Sequence, residues 1–153
     1  MAALSFSRVV ASGFGTGFFP VASGTFASLV AAVIGAGFLL ASPFALPVAV
    51  TIATFGGLWA VAAAGGDDDP GWVVIDEFAG QWIAMLSLAR PTLAGLAAAF
   101  VLFRFLDIVK PGPVAWVDRQ RGPAAVMADD LIAGAIAAGI LWAVQSHWPG
   151  VFA

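Results

Sequence analysis

The chain breaks into long apolar runs separated by short polar stretches, on a scale of tens of residues. Residues 9 to 66 carry no formal charge, and neither do residues 131 to 153. A bilayer core of about 30 Å takes roughly 20 apolar residues as a helix, so the first run has room for two spans and the last for one. The first span fits 25 to 41 and ends at "ASPF", where Pro43 stops it or starts the next helix; the second fits 44 to 64. "GGDDDPG" then reads as a hydrophilic turn. A third helix is expected over 73 to 89, ending before Arg90-Pro91, and a fourth over 92 to 107. Residues 108 to 127 are rich in proline and charge and read as irregular, and a last helix follows over 128 to 147. Ahead of the first span, "FGTGFFPVASGTFAS" (14 to 28) is a Gly-rich loop in which Ser23 or Thr25 is placed to cap a helix. The apolar runs are rich in Ala and Leu and do not alternate, so no strand pattern competes. Small residues at helical spacing (Gly80–Ala84, Gly95–Ala99, Gly134–Ala138) would let helices approach closely in lipid. The expectation is an all-α integral membrane bundle of about five helices, one domain over 1–153, with an irregular segment before the last helix.

Composition agrees with that pattern. Of 153 residues, 61% are hydrophobic and 10% charged, against about 25% charged in a soluble domain. The absence of cysteine excludes disulfides, thiolate nucleophiles and thiolate metal sites. Arg8 precedes a stretch broken by Gly and Pro without a small-residue cleavage site, so the N-terminus is read as part of the mature protein and not a signal peptide. Fourteen of the fifteen charged residues lie between Asp67 and Asp130.

Followed as crossings, the spans bring the Gly-rich loop, residues 66 to 77 and residues 107 to 130 to one membrane face. That face carries Arg8, Arg104, Lys110, Arg119 and Arg121, with Arg90 opposite, which by the positive-inside rule makes it cytoplasmic. The third helix is short and charged, and is the crossing least certain to be complete.

Five carboxylates sit near helix ends on this face, each in apolar company: Asp76 and Glu77 in "VVIDEFAG", Asp107 in "FRFLDIVKPGP", and Asp129 and Asp130 in "VMADDLIAG". A charge inside a span costs about 2.5–3.5 kcal/mol and marks a functional position by default. Arg104 and Lys110, each one turn from Asp107, offset part of the charge and leave an acidic surplus. Carboxylate oxygens suit a hard cation such as Mg²⁺. The plain alternative is that these acids mark the membrane edge, with Asp129 and Asp130 favouring a helix start. The Gly-rich loop ends at a helix N-terminus, where free N–H groups suit a phosphate, and Arg104 and Lys110 suit further phosphate oxygens. "DDDPG" reads as a solvated turn, His147 as an interfacial residue on the far side, and the tryptophans as interface anchors.

These segments, in this order, closely resemble the phosphatidylglycerophosphatase A family of bacterial membrane enzymes, through "FGTGFFPVASGTFAS", "VVIDEFAGQWIAM", "FRFLDIVKPGPVAWVDR" and "MADDLIAG". The resemblance implies a Mg²⁺-dependent phosphatase of the bacterial inner membrane that converts phosphatidylglycerophosphate to phosphatidylglycerol and phosphate, its site facing the cytoplasm. By position it places the metal ligands on Asp76, Glu77, Asp107, Asp129 and Asp130, with Asp76, Asp107 and Asp130 the candidates for direct catalytic work. It places substrate phosphate on Gly15, Gly17, Gly24, Thr25, Arg104 and Lys110. The chain departs from the family pattern at Ser23, usually proline, at "DDD", often His-Asp, and at "GPAAV", often richer in glycine. A metal-activated water and a direct carboxylate attack through an acyl phosphate both stay open. One histidine disfavours a two-histidine phosphatase. No nucleic-acid partner is expected, and the oligomeric state is open. The rival classes are a small divalent-cation transporter or channel, with acids near mid-span and polar groups continuing to the far side, and a noncatalytic lipid-binding or assembly subunit.

Overall fold

The computed structural model describes residues 5–152. In chain order the helices are α1 (Phe6–Ala11), α2 (Ser23–Ala41), α3 (Ala45–Ala64), α4 (Ile75–Met85), α5 (Leu93–Val109), α6 (Pro113–Asp118) and α7 (Pro123–His147), with a single 3₁₀ turn at Thr16–Phe18 between α1 and α2. The protein is an all-α membrane bundle. α2, α3 and α7 are long and apolar enough to cross a bilayer, and their outer faces expose Leu29, Val33, Ile52, Phe55, Trp59 and Trp142.

α4 occupies the centre, packed by α2, α3, α5 and α7, and nine of its eleven residues are buried. It is shorter than the expected 73–89 helix: eleven residues rise about 16 Å, roughly half a bilayer core. Beyond it, a turn carries the chain onward, and Gln145 Nε2 of α7 donates to the Ser87 carbonyl at 3.1 Å. Residues 86–88 thus reach the depth of the last turns of α7. Thr92 caps α5, its hydroxyl accepting from Gly95 N at 3.2 Å and donating to the Phe152 carbonyl at 2.5 Å.

Residues 108–127 are more ordered than their composition predicts. α5 runs on to Val109, and Pro113 and Pro123 open α6 and α7. Proline is favourable in a first helical turn, where its missing N–H would have no partner anyway, so it starts two helices inside a segment expected to be irregular. α7 accordingly begins at 123, not 128. The cap expected at Ser23 or Thr25 is not formed: Ala22 stands at the cap position of α2, and Ser23 Oγ donates instead to the Gly71 carbonyl at 2.7 Å. That bond ties the start of α2 to the segment entering α4. α1, absent from the sequence expectation, is pinned to the same segment through Val74 N donating to the Ala11 carbonyl (3.0 Å) and Arg8 lying over the Trp72 ring.

α4 and α7 meet backbone to backbone. A Cβ on Gly134 would run into the Gly80 carbonyl, and one on Gly80 would meet the Asp130 carbonyl and the Phe103 ring. This close crossing fixes the register in which the acids one turn earlier on each helix face one another.

Candidate active site

Four helices deliver polar groups to one end of the bundle. The first turn of α4 supplies Asp76 and Glu77, the last turns of α5 supply Arg104 and Asp107, the second turn of α7 supplies Asp129 and Asp130, and the first turn of α2 supplies Gly24 and Thr25. Carboxylates in a first helical turn are favoured by the partial positive charge of its unbonded amides. The expected convergence on one face is thereby met. Arg90 and His147 are exposed at the opposite end of the bundle.

One oxygen from each of Asp76, Glu77 and Asp130 falls within 4.8 Å of the others, and the same holds for Asp107, Asp129 and Asp130. Asp76, Asp107, Asp129 and Asp130 are buried to 5%, 8%, 5% and 3% exposure. Arg104 forms an ion pair with Asp107, lies 4.0 Å from Glu77 and donates to Thr25 Oγ1 at 3.4 Å. Lys110, just past α5, bonds Asp118 and, at 2.7 Å, Asp129. Partial burial works against its charge, but the bonds to Asp118 and Asp129 more than offset it, so its pKa is raised. Asp129 also accepts from Asp130 N at 3.0 Å through its second oxygen. Three carboxylate oxygens face inward without a partner: Asp76 Oδ1, Glu77 Oε2 and Asp130 Oδ2.

Buried anionic oxygens with no donor are unstable unless a cation or proton joins them. The five acids form a cluster of hard oxygen donors with orphaned atoms converging within a few ångströms, and they fit a divalent cation such as Mg²⁺.

The phosphate-binding candidates separate into two groups. Gly24 and Thr25 belong to the site: a Cβ on Gly24 would collide with the Glu77 carboxylate, and Arg104 lies beside it. The amides of Ser23, Gly24 and Thr25 are first-turn donors with no intrahelical acceptor. Gly15 and Gly17 serve the loop instead. Both of their amides donate to the Ser12 carbonyl, at 3.1 and 2.9 Å. Gly15 has φ +94°, a left-handed turn, while Gly17 leaves room for the Trp72 carbonyl.

Sequence reasoning passed over three features. Gln81, one turn deeper than Glu77, is fully buried with both amide atoms unpartnered; a lone amide inside "FAGQWIAM" was the available signal. Asp118 anchors Lys110. The "DDD" turn, read as merely solvated, lines with Asp118, Arg119, Gln120, Arg121 and Asp129 an open cavity of about 490 Å³ that reaches the acidic cluster.

The fold and the site together define a membrane-embedded helical protein with a buried carboxylate cluster at one end. The sequence model of the family described as Phosphatidylglycerophosphatase A matches residues 9–145. A protein of Escherichia coli (strain K12) named Phosphatidylglycerophosphatase A is 39% identical over 148 residues, covering 93% of this chain and 85% of its own. The Haemophilus influenzae protein of the same name is 31% identical, covering 92% and 89%. A Bacteroides thetaiotaomicron protein provisionally named a phosphatidylinositol-3-phosphatase is 37% identical over 135 residues, covering 82% and 85%. No solved structure matches. The chain belongs to the Phosphatidylglycerophosphatase A family, a family of phosphatases.

Proposed function

We propose that the protein is a Mg²⁺-dependent lipid phosphatase that hydrolyses the terminal phosphate of phosphatidylglycerophosphate, releasing phosphatidylglycerol and phosphate. The observation that carries this reading is the buried cluster with its orphaned oxygens on Asp76, Glu77 and Asp130, beside two cations and a free helix start. The named relatives from Escherichia coli and Haemophilus influenzae support the substrate. The relative named for an inositol lipid points to the same chemistry, a phosphomonoester on a lipid headgroup.

Asp76, Glu77, Asp107, Asp129 and Asp130 would hold the metal. When bound, Mg²⁺ supplies Lewis-acid polarisation of the phosphoryl oxygens and favours ionisation of a water. The chain's own part is to orient and neutralise. First-turn amides of α2 and the Arg104 fork hold phosphoryl oxygens whose charge grows toward the transition state, and Lys110, held by Asp118, adds a point charge. The burial of Asp76, Asp107, Asp129 and Asp130 strengthens each of these interactions. The lipid geometry supports the same reading: a headgroup phosphate sits just outside the acyl region, at the level of helix ends. The basic residues at this end support an inner-membrane protein with its site toward the cytoplasm.

A cation pathway would need polar groups continuing across the bundle. The deepest buried polar residues among those described are Ser28 and Gln81, each about one turn below the acidic end, so the transporter reading has little support.

The test is phosphate release from phosphatidylglycerophosphate by purified protein in detergent, with Mg²⁺ and with EDTA, alongside Asp76→Asn. Release that needs Mg²⁺ and is lost in the folded variant is the expected result. No release from well-folded protein in any condition overturns the reading.

A further inference from the structure

The five clustered acids are not equivalent, because some are already held and others are not. Asp76 Oδ1, Glu77 Oε2 and Asp130 Oδ2 have no donor, and Asp76 and Asp130 are 5% and 3% exposed. Asp107 is paired with Arg104, which stands farther, at 4.0 Å, from the other Glu77 oxygen, while Asp129 accepts from Lys110 at 2.7 Å and from Asp130 N at 3.0 Å. The two groups that converge within 4.8 Å, Asp76–Glu77–Asp130 and Asp107–Asp129–Asp130, share Asp130 and otherwise divide along this line.

We propose that the cluster takes two divalent cations in order: an inner one on Asp76, Glu77 and Asp130 that binds in the resting protein, and an outer one on Asp107, Asp129 and Asp130 that binds together with a phosphate anion. This rests on the reading of the cluster as a cation site and adds the number of ions and their order.

The inner group cannot stay ionised, dry and unpaired, so it has the stronger need of a cation. In the outer group, Asp107 and Asp129 are already countered from within by Arg104 and Lys110. A second cation there must compete with a guanidinium and an ammonium for the same oxygens, and like charges at that range repel. An incoming phosphate removes the obstacle. Arg104 lies beside Gly24 and Thr25 at the free start of α2, and Lys110 bonds Asp129 of the cluster; charge-assisted bonds to phosphate draw them from the carboxylates. Asp118, the second partner of Lys110, keeps that side chain at the rim while it turns. Asp107 and Asp129 are then released to the second ion. Asp130 belongs to both groups, and its backbone amide, bonded to Asp129, locks the two residues together.

The experiment titrates purified protein in detergent with Mn²⁺ in place of Mg²⁺, with and without inorganic phosphate, following stoichiometry by calorimetry and ion pairing by electron paramagnetic resonance. One ion per chain without phosphate, a second with it, and a change from an isolated to a spin-coupled Mn²⁺ signal are expected. Asp129→Asn should keep the first ion and lose the second, Asp130→Asn should lose both, and Lys110→Gln should admit the second ion without phosphate. General damage to the fold weakens all binding, so the gain in Lys110→Gln separates the proposal from misfolding. A single ion per chain at saturating phosphate overturns the proposal. So does uptake of both ions together without phosphate that Lys110→Gln leaves unchanged. Stoichiometry is measured without turnover: Mg²⁺-dependent phosphate release by a one-ion protein sinks this inference and keeps the phosphatase, while ordered two-ion uptake with no release does the reverse.

Discussion

The two sides of the acidic cluster are built from the same residue type and end up in opposite states. On the α4 side, Asp76 and Glu77 face Asp130 with oxygens that nothing in the protein satisfies. On the α5 side, Asp107 and Asp129 are tied to Arg104 and Lys110. The difference teaches that burial alone does not tell a ligand from a structural acid. What distinguishes them is how directly the chain has supplied a counter-charge: Arg104 reaches Glu77 only at 4.0 Å, and the oxygens left over need a cation or a proton.

The comparison is tested most severely on the unpaired side. Asp76→Asn should reduce Mg²⁺-dependent phosphate release about 1000-fold, the several kcal/mol that a Lewis-acid cation contributes. The same variant should melt higher than the parent in EDTA, because a buried unpaired charge has been removed. A melting point below the parent's in EDTA would show that Asp76 is a paired structural acid after all. On the paired side the expected balance is reversed. Arg104→Met should destabilise by about 3 kcal/mol or more, read as a lower midpoint of thermal unfolding, since it leaves Asp107 buried without its partner. Restoring stability with Asp107→Asn in the same chain would confirm the pairing. Gly80→Ala tests what holds the two sides in register. Its new methyl meets the Asp130 carbonyl and the Phe103 ring, and the strain should cost about 1–3 kcal/mol with a larger loss of turnover than of stability. The smallest effect belongs outside the comparison: Asp68→Ala, on the exposed turn, should shift stability by less than about 0.5 kcal/mol.

Much of this arrangement was legible in the sequence. The uncharged runs gave α2 and α3 nearly to the residue, and the crossing order brought three distant segments to one end because helical spans leave few alternatives. The acids stood out because lipid-facing composition makes any charge conspicuous. The misjudged parts have local physical causes. The prolines of residues 108–127 make that segment read as irregular, although proline's effect reverses at a first turn, where Pro113 and Pro123 stand. What the sequence does not show at Gly15 and Gly17 is that both amides already donate to the Ser12 carbonyl, a bond set by how the loop folds back. The end of α4 at Met85 was out of reach for a different reason. Apolar residues continue past it, and the helix stops where the chain must turn under Gln145 of α7, a tertiary constraint with no local signal.

The glycine crossing of α4 and α7 has a consequence for how a cation meets its ligands. Most ligand pairs are held at their spacing by packed side chains, each with rotamers to freeze. Gly80 and Gly134 have none, so the spacing between Asp76 and Asp130, one turn earlier on each helix, is carried by backbone alone. The conformational entropy lost in bringing these two carboxylates together is therefore lost during folding, and the proposed cation would meet a frame whose dimensions were settled before it came.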